Sequence, residues 1–210
     1  MTVDISRTID AVTREVRDSQ RDGRSTRAVV ASRAFGAKAE DVWDAITRPE
    51  QIARWFAPVT GDLKLGGRYQ VQGNAGGKIT QCARPRELGA TWEIGGGVSW
   101  IDVSLRPERA GTQLELRHTA SPEAHWEQYG AGAVGIGWDI ALMGLDLHLK
   151  DPKGGQLLAG AVQWQTTEEG KRFMRASGDR WGQAEIANGA DRRLALAAAD
   201  RTKRFYCGEQ

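Results

Sequence analysis

Two side chains in this sequence have both the chemistry and the setting to act on a small molecule, His118 and Tyr69. Thr112, Leu114, Leu116 and His118 alternate along one run. A period of two puts the histidine on the same strand face as the leucines, toward a core. A neutral imidazole there can donate and accept, so it suits a general base or a ligand contact, and it equally suits a histidine satisfied by a neighbouring group. Tyr69 follows Gly66-Gly67 and offers a polar tip on an apolar body. Trp55, Phe56, Trp92 and Trp138, with Leu142, are the apolar residues placed to wall a cavity. An apolar pocket with a few polar groups is the usual form of a small-molecule site, although the same rings also serve as ordinary core.

Other chemistries lack their residues. The three histidines, His118, His125 and His148, have no H-E-x-x-H spacing, and Cys82 and Cys207 form no C-x-x-C pair, so no metal or other cofactor is implied. A G-x-S-x-G elbow is absent, and no two inward carboxylates suit glycosidic acid–base work. Gly130, Gly132 and Gly135 match G-x-G-x-x-G as a string. That motif needs a preceding strand and a βαβ unit, and neither is present. The glycines are better read as a lip at a cavity mouth, free to move or allowing a helix to pack closely.

The elements that must position these residues centre on Gly130 to Lys150. Trp138, Leu142, Leu145 and Leu149 repeat at four, three and four residues, one stripe of a long helix over 132–150. Thr60 to His118 alternates short β-like runs with turn signals, the pattern of an antiparallel meander. It predicts strands near 61–65, 68–73, 77–83, 88–95, 98–105 and 112–118. Leu88, Ala90 and Trp92 share a face, as do Ser99, Ile101 and Val103; Trp100 falls opposite Ile101 and Val103, and Cys82 opposite Ile79 and Gln81. Thr26 to Phe35 reads as a first strand, 37–47 as a helix, and PEQIARWF as a second short helix opened by Pro49. Ile5, Ile9, Val12 and Val16 predict an amphipathic helix over 4–20 that breaks at Arg21-Asp22-Gly23-Arg24. Beyond Lys150, helices are predicted at 167–177, 179–188 and 191–206, the last with a stripe of Leu194, Ala198 and Phe205. Segment 119–129 reads as a loop with one short helical turn.

The 210 residues thus divide into an N-terminal helical extension (1–25), a central domain (26–150) and a C-terminal helical extension (151–210). A net charge of +2 argues against a nucleic-acid or anionic-membrane partner. No signal core or membrane-spanning run is present, and a reduced cytoplasmic setting fits two cysteines without a disulfide framework. Apolar stripes at both termini would suit a homodimer built from the terminal helices.

A strand, two short helices, a meander and a long helix make an α+β helix-grip arrangement, a curved antiparallel sheet around the helix. The chain resembles the SRPBCC (START-like) superfamily, in the bacterial branch named after the activator of the heat-shock protein 90 ATPase. The resemblance is carried by Val42 to Thr47 (VWDAIT), Pro49 to Phe56, Gly61 to Tyr69 (GDLKLGGRY), Pro85 to Trp92, Gly111-Thr112 with Leu114, Leu116 and His118, and Gly137-Trp138. It implies an internal cavity for a hydrophobic molecule, with Trp55, Phe56, Tyr69, Trp92, His118, Trp138 and Leu142 as its wall. Binding rather than catalysis is the reading. The alternatives are an enzyme on a hydrophobic or polyketide-like substrate, with His118 or Tyr69 as acid–base, and a co-chaperone-like interaction module.

Overall fold

The computed structural model describes residues 4–21, 23–122, 124–152 and 163–209. Helix α1 (Ile5–Asp10) leads into strands β1 (Val12–Arg21) and β2 (Arg24–Phe35). Helices α2 (Ala39–Thr47) and α3 (Pro49–Trp55) follow. The meander comprises β3 (Val59–Gly61), β4 (Arg68–Val71), β5 (Gly76–Ala83), β6 (Glu87–Ile94), β7 (Gly97–Glu108) and β8 (Gly111–Ala120). Helices α4 (Ala124–Tyr129), α5 (Gly132–Lys150), α6 (Glu168–Ala187) and α7 (Arg192–Cys207) complete the described chain. The eight strands form one antiparallel sheet in the order β1-β2-β8-β7-β6-β5-β4-β3. This sheet and the 19-residue α5 are the helix-grip arrangement expected.

Three expected elements are corrected. Residues 4–20 are not one helix, because α1 ends at Asp10 and β1 begins at Val12. Val12 and Val16 satisfy both periodicities, but Val12, Thr13 and Val16 are β-branched and favour extended backbone. Gly23, with φ +74°, supplies a left-handed conformation ahead of β2, one that glycine adopts freely. The strand read at 61–65 is Val59–Gly61 instead. Residues after it turn back, with the Gly67 N–H donating to Lys64 O at 2.8 Å. Finally, the helices read at 167–177 and 179–188 are one helix, α6. Gly178 does not break it. A Cβ there would lie 2.6 Å from Lys203 Cγ, so the glycine lets α7 approach α6.

By internal contacts the chain forms two compact units. The second unit, the described residues of Ser32–Ala120 and Ala141–Leu158, holds the meander. Its register pairs Leu105 with Leu114, Val103 with Leu116, Ile101 with His118 and Ala90 with Ile101. The alternation read from sequence therefore converges on one face. An irregularity between Ile79 and Gln81 pairs Cys82 with Leu88, so Cys82 lies opposite Gln81 as expected but on the face of Ile79, because a bulge reverses the parity beyond it. Arg33 of β2 meets Asp146 of α5 at 2.6 Å, and His148 Nε2 lies 3.0 Å from Gln51 Oε1 of α3.

The first unit comprises the described residues of Met1–Ala31, Ser121–Ile140 and Ala159–Gln210. Here α7 buries Ala195, Ala198, Ala199 and Thr202 while Leu194 and Phe205 remain exposed. The expected stripe is thus split, because close packing on α6 calls for the small side chains. Trp181 of α6 is fully buried against Gly135 of α5. Of the two alternatives for that glycine string, close packing holds at Gly135.

This contact makes a prediction. A Cβ at Gly135 would run into the Trp181 indole, whereas one at Gly137 would sit 3.4 Å from Tyr206 Oη, ordinary contact. Gly135→Ala should destabilise the fold by about 1–3 kcal/mol through overpacking. Gly137→Ala should stabilise it by roughly 0.5–1 kcal/mol through helix propensity. Urea midpoints moving in opposite directions at constant slope check this.

Candidate functional site

The second unit gathers most of the residues that the sequence singled out. Ile52, Val59, Tyr69, Val71, Ile79 and Ala90 form a buried cluster, with Phe56, Leu63, Leu88, Trp92 and Ile101 packed against it and only partly buried. Helix α3 delivers Ile52, and Phe56 follows directly as its C-cap. Trp55 lies beside Phe56, ring centroids 5.6 Å apart, and its indole donates to Ala45 O at 2.9 Å. Trp92 meets the His118 imidazole edge to face at 6.2 Å. Five of the seven expected wall residues, Trp55, Phe56, Tyr69, Trp92 and His118, are therefore linked by packing. Leu142 is buried in the same unit, whereas Trp138 belongs to the first unit and is half-buried.

The two polar candidates differ in what they have to offer. Tyr69 donates its hydroxyl proton to Thr91 O at 2.6 Å, and burial, helped by Glu93, pushes its ionisation well above the ordinary range. It is neutral at physiological pH and its proton is committed to the sheet. His118 is 5% exposed, and burial lowers its pKa to about 4, so it too is neutral. Its Nε2 lies 2.8 Å from Ser99 Oγ, and Ser99 Oγ lies 3.1 Å from Trp92 O. A carbonyl only accepts, so the single serine proton goes to Trp92 O and Nε2 must carry the imidazole proton. That polarity is opposite to a base activating a serine. Ser99 was missed in the sequence reading, although it faces Trp92 directly across β6 and β7. The period-two alignment of those strands carried that signal.

A second polar group escaped the sequence entirely. In the first unit, Asp139 of α5 is 1% exposed and accepts on Oδ2 from Arg14 Nε at 2.9 Å, Trp181 Nε1 at 3.1 Å and the Ser177 hydroxyl. Burial raises the carboxyl's pKa, with Arg14, Ser177 and Trp181 opposing. On a helix over 4–20, Arg14 would point away from the Ile5, Ile9, Val12 and Val16 stripe. On a strand it shares the buried face of Val12 and Val16. Among the described residues no three His, Cys, Asp or Glu side chains gather to hold a metal ion, and no helix is long and apolar enough to cross a membrane.

The sheet, the long helix and the apolar cluster define a protein of the helix-grip, START-like class. Within that class, residues 36–150 match the family described as Activator of Hsp90 ATPase homolog 1-like protein, and the chain belongs to that family. It is similar to CalU16 from Micromonospora echinospora. The solution structure of CalU16 is 30% identical with a TM-score of 0.69, covering 86% of this chain and 97% of that one. Its crystal structure gives 28% identity and a TM-score of 0.67, covering 83% and 98%. EF2215 from Enterococcus faecalis, described as a conserved protein of unknown function, shares the fold at 15% identity and a TM-score of 0.62, covering 89% of this chain and 96% of that one. Curated proteins give no match. The likeness to CalU16 spans more of the chain than residues 36–150, so it takes in part of the flanks.

The buried imidazole has a pH consequence. The folded pKa of His118, about 4, lies below the ordinary value of 6.5. The unfolded chain therefore binds the extra proton, and the stabilising contribution is complete above about pH 6.5 and lost as pH falls toward 4. The loss is on the order of 3 kcal/mol. His118→Gln should flatten that part of the stability profile, leaving the part due to His148, which is also lowered by burial and by Arg54. Imidazole ¹⁵N shifts should show a protonated Nε2 throughout pH 5–8; a protonated Nδ1 would refute the assigned polarity.

Proposed function

We propose that the protein binds a small hydrophobic molecule against the aromatic cluster of its second unit. The observation that carries this reading is the incomplete burial of Phe56, Leu63, Leu88, Trp92 and Ile101 around a buried set. These large apolar side chains face one another yet keep surface that a ligand would cover. Each 100 Å² so covered contributes about 2.5 kcal/mol before the cost of association. His118 sits at the cluster's edge, neutral and fixed in orientation by Ser99, and gives the apolar wall one polar neighbour. Membership of a family whose fold is typically used for ligand binding supports the same reading. Trp55, Phe56, Trp92 and His118 are the residues we assign to the contact, with Tyr69 and Leu142 behind them.

Native mass spectrometry followed by denaturing extraction tests for a co-purifying molecule and reads the oligomeric state. The neutral probe N-phenyl-1-naphthylamine should bind saturably. Phe56→Ala and Trp92→Ala should each weaken it tenfold or more while cooperative unfolding persists. Unaltered affinity in both folded variants would remove the cluster as the site.

A further inference from the structure

We propose that a second, separate site lies in the first unit: a pocket between α1–β1 and α6 that takes a small carboxylate bearing an apolar tail, anchored by Arg14. The concavity has a volume of about 350 Å³ and is lined by residues of those elements alone. Ile9, Val12 and Ala184 are buried and give it an apolar floor, and Ala187 continues the wall. Asp10 and Arg180 form an exposed ion pair at 2.6 Å beside it.

Arg14 also lines this pocket, and its hydrogen bonding is uneven. The side chain is 5% exposed. Nε donates to Asp139, and Nη1 donates to Ile9 O at 3.0 Å and Val12 O at 2.9 Å. Nη2 is buried and has no hydrogen-bond partner among the described residues, and neither has Asp139 Oδ1. A guanidinium presents five donors in a fixed fork, and a buried donor left unmade is costly. Two N–H groups of a buried cation are therefore unspent in a side chain that lines a pocket with an apolar floor. A carboxylate meets that need, since its oxygens can accept from the two Nη2 protons and its charge matches the cation. The floor then selects a hydrocarbon tail over a bare ion. Arg180 adds positive charge that partly offsets Asp10. This site does not rest on the aromatic cluster, and the two use different units.

The test is titration of ¹⁵N-labelled protein with sodium hexanoate, with hexanamide as the uncharged control. Hexanoate should shift the amides of Val12 to Arg14 and Gln183 to Ala187 saturably. A Kd on the order of 1 mM is ordinary for a ligand of about eight non-hydrogen atoms. Hexanamide should bind at least tenfold more weakly. Ala187→Leu adds bulk to the wall at an exposed helical position and should abolish the shifts. Arg14→Lys keeps a cation for Asp139 while removing the fork and should weaken binding tenfold or more. Absence of saturable shifts in the wild type, equal binding of hexanamide, or unchanged binding in folded Ala187→Leu would each overturn the proposal. Shifts confined to residues around Trp92 and His118 would also overturn it, and would assign hexanoate to the aromatic cluster.

Discussion

A carboxylate held almost wholly out of water, Asp139, is the constraint on which the first unit depends. It sits on the long helix, where an uncompensated charge would be intolerable, so groups from two other elements must reach it. Arg14 comes from β1, Ser177 and Trp181 from α6. Each is fixed in turn. Arg14 is tied to two carbonyls of its own segment, and Trp181 lies flat against Gly135. Removing Arg14 or Asp139 leaves the other's charge buried without its ion-pair partner, which in pairs of this kind costs about 3–5 kcal/mol. The arrangement makes orientation specific. The placement of β1 that brings Arg14 to the carboxylate also buries Val12 and Val16.

The second unit follows a different rule. Its polar groups are few, and they are spent on one another before any ligand arrives. Tyr69 gives its proton to Thr91 O, Ser99 to Trp92 O, and His118 to Ser99. The sheet thereby presents a face whose hydrogen bonds are internally arranged and whose remaining exposed surface is apolar. Such a face recognises shape and hydrophobicity more than charge. That arrangement supports the proposed binding role over the alternative of acid–base catalysis. The neutral histidine is oriented, but its proton lies toward the serine rather than away from it.

The helices at the C-terminus show how composition serves packing. α7 sets Ala199 over Gly182 and the Lys203 stem over Gly178 of α6, while Ala198 meets Gly130 and Thr202 meets Gly132. Larger side chains are left outside, as Leu194 and Phe205 show. The apolar stripe visible in the sequence was therefore real as a pattern but wrong as a buried surface, because close helix–helix approach rewards small volume over hydrophobicity.

Local periodicity determined a large share of this protein. The bounds of α5, the pairing faces of β6, β7 and β8, the place of Pro49 and the inward side of His118 all follow from spacings of two or 3.6 residues, and such spacings are written in the chain itself. Most of the aromatic cluster was legible for the same reason, once the strands were aligned. What needed the tertiary structure were choices between patterns that sequence leaves balanced. Val12 and Val16 fit helix and strand alike, and the pairing of β1 with β2 decided between them. Gly178 reads as a break in isolation and as a contact once α7 lies on it. Asp139 looks like a solvent-facing interruption in an apolar helix. Its burial is visible only when Arg14, 125 residues away in sequence, and Ser177 are brought to it. A group's protonation and partners depend on what surrounds it in space, and for Asp139, Arg14 and Ser99 the chain's own order did not carry that information.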